Sequence, residues 1–366
     1  MMTTPDITII GGGAIGMLTA RALNHAGVSV KIIDKGQLGQ ESSWAGGGIL
    51  LPLYPWRQAD AISRLAAQSL TLYPALAQQL LDSTGIDPEL TRSGLLITDN
   101  PDADKALAWC QQYNINHQPA SLEQLKQLHR LCIQPLWLPG IGHIRNPRLV
   151  KALKQDLHNR HIAIEEHTEV TGVRVANNRI SAIKTNHGEC AVGEVIIASG
   201  AWSGTLLQQL LQGLSISSLA INPVRGQMLL YDTEPGLLNS MVLAGDRYLI
   251  PRRDGKILVG STVEHVGFDK TTTEHAKTTL NQFALTLFPV LERYPLIKQW
   301  AGLRPGTQQG IPYITRHPEL TNLSINAGHF RNGLILGPAS AQLIADIVLA
   351  NTPCINPEPY HLTSPH

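Results

Sequence analysis

The sequence predicts an α/β fold in which a Rossmann-type dinucleotide-binding domain is interleaved with a second domain built on a mostly antiparallel sheet. Three observations carry this. The apolar run ITII at 7–10 ends in Gly11-x-Gly13-x-x-Gly16 and leads into helix-patterned residues 17–26. Segments that run from a strand into glycines recur at 194–200 and near the end at 323–337. Between 222 and 261, strand-like stretches alternate with turns such as Asp254-Gly255.

The chain has 366 residues and a mass of 39.8 kDa, more than one average core holds, so two domains are expected. Because the nucleotide-type segments lie at the start, middle and end, residues 1–85, 145–220 and 300–366 are assigned to the cofactor domain. Residues 86–144 and 221–299 are assigned to the substrate domain. Lys+Arg 29 against Asp+Glu 28 leaves no basic excess, which removes the electrostatic basis for nucleic-acid binding. Four scattered cysteines without a C-x-x-C pair argue against structural zinc and disulfides. His158 and His161 lack the further ligands a metal needs, so no metal is expected.

The elements follow in order. Gly27 stops the first helix, and 28–33 alternate as a strand before Asp34. Apolar spacing predicts a helix over 60–84 with Gly85 as terminator, and further helices over 122–131, 149–158 and 273–289. Strands are expected at 162–164, 170–175, 222–231, 247–250, 256–261 and 323–326. A glycine-rich turn (Gly328, Gly333, Gly337) then leads into a last helix over 338–349. Residues 334–350 are too interrupted to span a membrane, and no signal peptide is read at the N-terminus, so the cytoplasm is expected. The apolar loop 49–56, with Pro52 and Pro55, is read as a buried pocket wall; contact with a membrane is its alternative.

In the fingerprint, the glycines allow a tight turn and close approach of a pyrophosphate to a helix N-terminus. Asp34, 18 residues after Gly16, is placed to accept from an adenosine ribose. One nicotinamide fold would explain this element alone. A long flavin cofactor explains it together with the segment ending at Gly200, the C-terminal glycine turn, and the extended Ser42-Ser43-Trp44-Ala45-Gly46-Gly47-Gly48. FAD is therefore the expected cofactor.

GGGAIG with Asp34, ESSWAGGGILLPLYPW, ASGAWSG, RYLIPR, WAGLRPGT and AGHFRNGLILGPAS together resemble the amine-oxidising flavoproteins of the D-amino-acid oxidase superfamily. Within it they are most similar to the glycine oxidases of thiamine biosynthesis, the ThiO type. The resemblance implies a D-amino-acid oxidase-like fold and noncovalent FAD. It further implies oxidation of glycine, sarcosine or D-amino acids to an imine, with dioxygen as acceptor and hydrogen peroxide as product. It places Ala14, Ile15, Asp34, Lys35 and the backbone of Val173 toward the adenine side, beside the fingerprint glycines Gly11, Gly13 and Gly16. Ser42, Ser43, Gly47, Gly48 and Ile49 would line the flavin. His329, Phe330, Arg331, Asn332, Gly333, Leu334 and Ile335 would cover its pyrimidine edge.

The family's carboxylate clamp falls on Arg304, its hydrogen-bonding tyrosine on Tyr248, and a second substrate contact on Arg331. Arginine suits the first role because a planar guanidinium grips a carboxylate with two parallel bonds. Hydride transfer from a neutral amine needs positioning more than a protein base, so no catalytic acid or base is expected. The chain departs from the family pattern with Asp246 for a His, Val263 for a Met, and Leu51 for a small residue. A dehydrogenase passing electrons to a quinone or partner protein, and a flavin-holding scaffold, are the competing readings. The family is also often homo-oligomeric.

Overall fold

The strand Ile7–Ile10 is buried at every position and lies between Val30–Ile33 and Glu194–Ile197, parallel to both. A parallel strand covered on both faces can be apolar throughout, which is why these segments read as unbroken Ile/Val runs. The structure is a computed structural model that describes residues 5–362, apart from 127, 129–131 and 212–218. Among the described residues, the first sheet has six strands in the order Tyr313–Arg316, Leu323–Ala327, Glu194–Ile197, Ile7–Ile10, Val30–Ile33 and Ala163–Glu165. The pair Tyr313–Arg316 and Leu323–Ala327 is antiparallel; the rest is parallel.

A second sheet has eight strands, ordered Leu296–Gly306, Asn222–Tyr231, Ile257–Gly260, Arg247–Pro251, Met241–Ala244, Leu95–Ile97, Leu136–Leu138 and Gln118–Pro119. Its pairs are antiparallel except Met241–Ala244 with Leu95–Ile97. The expected α/β architecture with a mostly antiparallel second sheet is what the chain adopts. The strand Leu296–Gly306 crosses position 300, where a domain border was expected, and belongs whole to the antiparallel sheet. It therefore delivers Arg304 on that sheet. A three-stranded sheet, Val170–Ala176, Arg179–Thr185 and Gly188–Ala191, stands apart.

Helix Asp60–Thr84 ends as expected on Gly85, held at φ +69°, a left-handed conformation that glycine adopts without a Cβ penalty. The last helix differs from expectation. It spans Gly333–Val348 and carries Pro338 inside it, so Gly333 and Gly337 are helical rather than turn residues. Proline cannot donate to the carbonyl four residues back. Here the Tyr73 hydroxyl donates to that carbonyl of Leu334 at 2.5 Å, and Ser69 Oγ accepts from the Ala339 N–H at 3.0 Å. Tertiary partners thus carry the helix through its proline.

The predicted helix at 122–131 is observed as Leu122–Lys126, its remainder falling largely outside the described residues. In the apolar loop, Leu50, Leu51 and Tyr54 are buried, and Pro55–Arg57 form a single 3₁₀ turn. No helix among the described residues is long and apolar enough to cross a membrane.

Candidate functional site

Gly11 sits at φ +114°, and a Cβ there would lie 2.5 Å from the Ala198 carbonyl oxygen, so only glycine lets the two parallel strands end this close together. A Cβ on Gly16 would overlap the Gly11 carbonyl; this glycine serves helix-on-strand packing and does not line the cavity. Asp34 Oδ2 accepts from the Gly12 N–H at 2.6 Å and Oδ1 from the Gly36 N–H at 2.8 Å. The acid therefore fixes the fingerprint turn, with lone pairs left for a further donor. Ser43 Oγ accepts from the Ala14 N–H at 2.8 Å, tying the second glycine segment to the first.

One cavity of about 490 Å³ connects these elements. Its wall runs from Asp34 and Lys35 past Gly11, Gly13, Ala14 and Ile15, along Ser42, Ser43, Gly47, Gly48 and Ile49, and past Gly200. It ends at Tyr248, Arg304 and the segment His329–Ile335. Of the expected residues only Gly16 and Val173 stay outside it. Near Val173 the wall is Thr168, Glu169 and Val170, because the Thr168 N–H donates to the Asp34 carbonyl at 2.9 Å and brings the start of the strand to the cavity. Val173, further along the same strand, packs beside a separate apolar cluster.

At the far end, Arg304 Nη1 donates to the Thr262 carbonyl at 3.0 Å and Nη2 to Ser261 Oγ at 2.8 Å. No carboxylate pairs with it among the described residues. Its guanidinium lies over Gly226, where any Cβ would overlap it. Burial in the surrounding protein, and then the neighbouring Arg331, lower its pKa to about 10, so it is cationic at neutral pH and in want of an anion. Tyr248 is buried, with its hydroxyl 3.6 Å from Met228 Sδ. Arg331 donates to the Asp246 carbonyl at 3.2 Å, joining its loop to the turn before Tyr248.

His329 is buried, and its Nε2 lies 2.9 Å from Ser340 Oγ. Burial holds its pKa down to about 3, so the ring is neutral and structural. Phe330 takes a left-handed φ of +46°, a strained conformation for a non-glycine residue, as the chain turns into the last helix. Because that helix begins at Gly333, its first amides, which have no acceptor inside the helix, belong to the cavity wall itself. Of the family departures, Leu51 lines the cavity, Val263 is surface-exposed, and the methionine at the cavity is Met228.

Sequence reading missed Gly226, Met228, Asn146 and Trp202, all on the cavity wall. Asn146 was discernible only as a polar residue before Pro147 at a helix start. It is fully buried, its Nδ2 donates to the Ser43 carbonyl at 2.9 Å, and its Oδ1 has no partner in the protein. Trp202 carries Lys35 Nζ 4.3 Å above its ring. A glycine-walled cleft with an orphaned amide oxygen, a helix N-terminus and an acid at the end of the second strand fits a dinucleotide cofactor. The Cys residues lie away from this wall, and no cluster of His, Cys, Asp and Glu suited to a metal occurs among the described residues.

Comparison with known proteins gives the same reading. A glycine oxidase of Pseudomonas aeruginosa is 44% identical over 359 residues, covering 97% of each chain. The bifunctional ThiO/ThiG protein of a Synechocystis strain is 30% identical, with 95% of this chain matched to 52% of that one. The crystal structure of glycine oxidase from Geobacillus kaustophilus superposes with a TM-score of 0.91 at 30% identity, covering 99% of both chains. The family model described as FAD dependent oxidoreductase matches residues 6–347, and the chain belongs to that family, with FAD as its cofactor.

Proposed function

We propose that this protein oxidises glycine and other small amines, sarcosine and D-amino acids among them, to the imine. Water then gives the oxo acid and ammonia, dioxygen becomes hydrogen peroxide, and the product feeds thiazole formation in thiamine biosynthesis. One observation carries the reading: Arg304, with no carboxylate partner among the described residues, lines the same cavity as Tyr248 and the glycine loop at 47–48. The glycine oxidase relatives support it.

Bound FAD supplies the acceptor for the hydride that leaves the substrate carbon. Arg304 grips the substrate carboxylate through its guanidinium and so sets which hydrogen faces the cofactor. The Tyr248 hydroxyl donates to the same carboxylate, and Arg331 adds positive charge at this end. Leu51, Met228 and Tyr248 belong to one apolar cluster that excludes water and favours a small side chain. His329 is buried with its Nε2 held by Ser340 Oγ, so it serves the loop and not proton transfer, and the amine reacts in its neutral form.

The segments 1–85, 145–220 and 300–366 supply the cofactor part and the remainder the substrate part, with the strand Leu296–Gly306 counted with the substrate sheet. The test is anaerobic mixing of the flavin-loaded protein with glycine, sarcosine, D-alanine and D-proline, followed by admission of air. Bleaching of the visible flavin band by glycine, with rapid return of colour and peroxide, is expected. Bleaching without rapid return would replace the oxidase with a dehydrogenase, and no bleaching by any amine would refute the substrate class.

A further inference from the structure

Directly after the strand that carries Tyr248 lies a buried cation that none of the roles above uses. Arg252 is 7% exposed, and no ion pair joins it among the described residues. Its fork is spent on three acceptors: Nη1 lies 2.9 Å from His143 Nδ1 and donates to the Ile144 carbonyl at 3.2 Å, while Nη2 donates to the Gly47 carbonyl at 2.7 Å. Because His143 Nδ1 accepts from a guanidinium, the imidazole is neutral with its proton on Nε2. Burial, and then Arg252 itself, push its pKa down to about 2.

The consequence falls on the cofactor loop. Gly47 and Gly48 line the cavity, whereas Arg252 does not, so the Gly47 carbonyl points away from the cavity. A planar trans peptide sets the following N–H opposite its carbonyl. The Gly48 N–H therefore faces the cavity, and it has no acceptor within the protein among the described residues. Gly46, Gly47 and Gly48 have no side chains to resist rotation of this peptide. The guanidinium holds one face of it, and the Ile144 N–H, donating to the Gly48 carbonyl at 2.9 Å, holds the next.

We propose that Arg252 is a positioning residue for FAD: by drawing the Gly47 carbonyl out of the cavity it presents the Gly48 N–H as a fixed donor to the cofactor. This concerns cofactor binding alone, so its test uses no amine and is separable from the substrate reading. Apoprotein of the wild type, Arg252→Met and Arg252→Lys would be titrated with FAD by flavin fluorescence. Thermal unfolding of each would be followed with and without FAD.

For Arg252→Met, FAD affinity is expected to fall about tenfold, the scale of one lost hydrogen bond, with the rise in Tm on adding FAD reduced accordingly. An ammonium keeps the charge but has one nitrogen where the guanidinium spreads two over these acceptors, so Arg252→Lys is expected to be intermediate. Wild-type FAD affinity in folded Arg252→Met would overturn the proposal, even if apo and holo forms both melted lower, because that pattern is structural support alone. If Arg252→Met does not fold, Arg252→Lys decides: weakened FAD binding supports the proposal and wild-type binding overturns it.

Discussion

Gly47 and Tyr248 stand in contact: a Cβ built on Gly47 would lie 3.0 Å from the Tyr248 hydroxyl oxygen and 3.0 Å from its ring. The glycine loop at 46–48 and the tyrosine proposed to hold the substrate therefore share one packed surface on the cavity wall. Gly47→Ala forces one of them to move, an overpacking cost of about 1–3 kcal/mol. Steady-state kinetics with glycine should show kcat/KM falling about tenfold or more. Unchanged kinetics would mean that Tyr248 yields freely and does not set substrate position.

Arg304 is a cation on the cavity wall with no carboxylate partner among the described residues. It is the proposed carboxylate clamp, so Arg304→Ala should raise the KM for glycine strongly while leaving FAD content and the visible spectrum near normal. Removing one partner of a buried charge pair costs on the order of 2–5 kcal/mol. Turnover of glycine at wild-type kcat/KM in this variant would move the carboxylate site elsewhere.

The Tyr73 hydroxyl serves the Leu334 carbonyl that Pro338 cannot. Tyr73→Phe should lower the unfolding free energy by about 1–3 kcal/mol, the cost of leaving a buried carbonyl unpaired. Adding Pro338→Ala, which restores an N–H to the helix, should recover much of the loss. Urea denaturation of the single and double variants measures both, and additive losses would contradict the coupling.

His143 and His329 are both buried, which holds their pKa values at about 2 and about 3, below the ordinary 6.5. The unfolded chain therefore binds protons that the folded chain refuses. Their neutral burial costs nothing above pH 6.5, and stability is lost as the pH falls below it toward the folded values. The slope is about 1.4 kcal/mol per pH unit for each histidine. Urea midpoints at neutral and mildly acidic pH should differ accordingly, with a smaller difference in His329→Gln; an identical difference would show that His329 is protonated in the fold.

The cofactor half of the site was legible along the chain because its determinants are local. The turn after Ile7–Ile10, the glycines that line it and Asp34 lie within a few dozen residues, at spacings set by strand, turn and helix geometry. Arg304, Tyr248 and Arg331 were legible only through resemblance to a family, since nothing in their local sequence states that they share a cavity. Three placements needed the folded chain outright. Val170 rather than Val173 reaches the cavity because a hydrogen bond to the Asp34 backbone sets the register there. The last helix runs through Pro338 because Tyr73 and Ser69, 261 and 270 residues away in the chain from their partners, take up the groups its proline disrupts. The Gly47–Gly48 peptide faces as it does because Arg252, 205 residues away in the chain, holds its carbonyl.

By itself, the sequence determined the first strand–turn–helix–strand unit, the helix ending at Gly85, the strands near 194–197, 222–231, 247–250 and 323–326, and the dinucleotide turn, because periodicity and glycine geometry act over neighbouring residues. Tertiary structure alone decided which unpaired polar groups meet across the cavity and which way the glycine peptides point. Those outcomes depend on hydrogen bonds between segments far apart in the chain, and a glycine backbone has no local preference strong enough to make the choice.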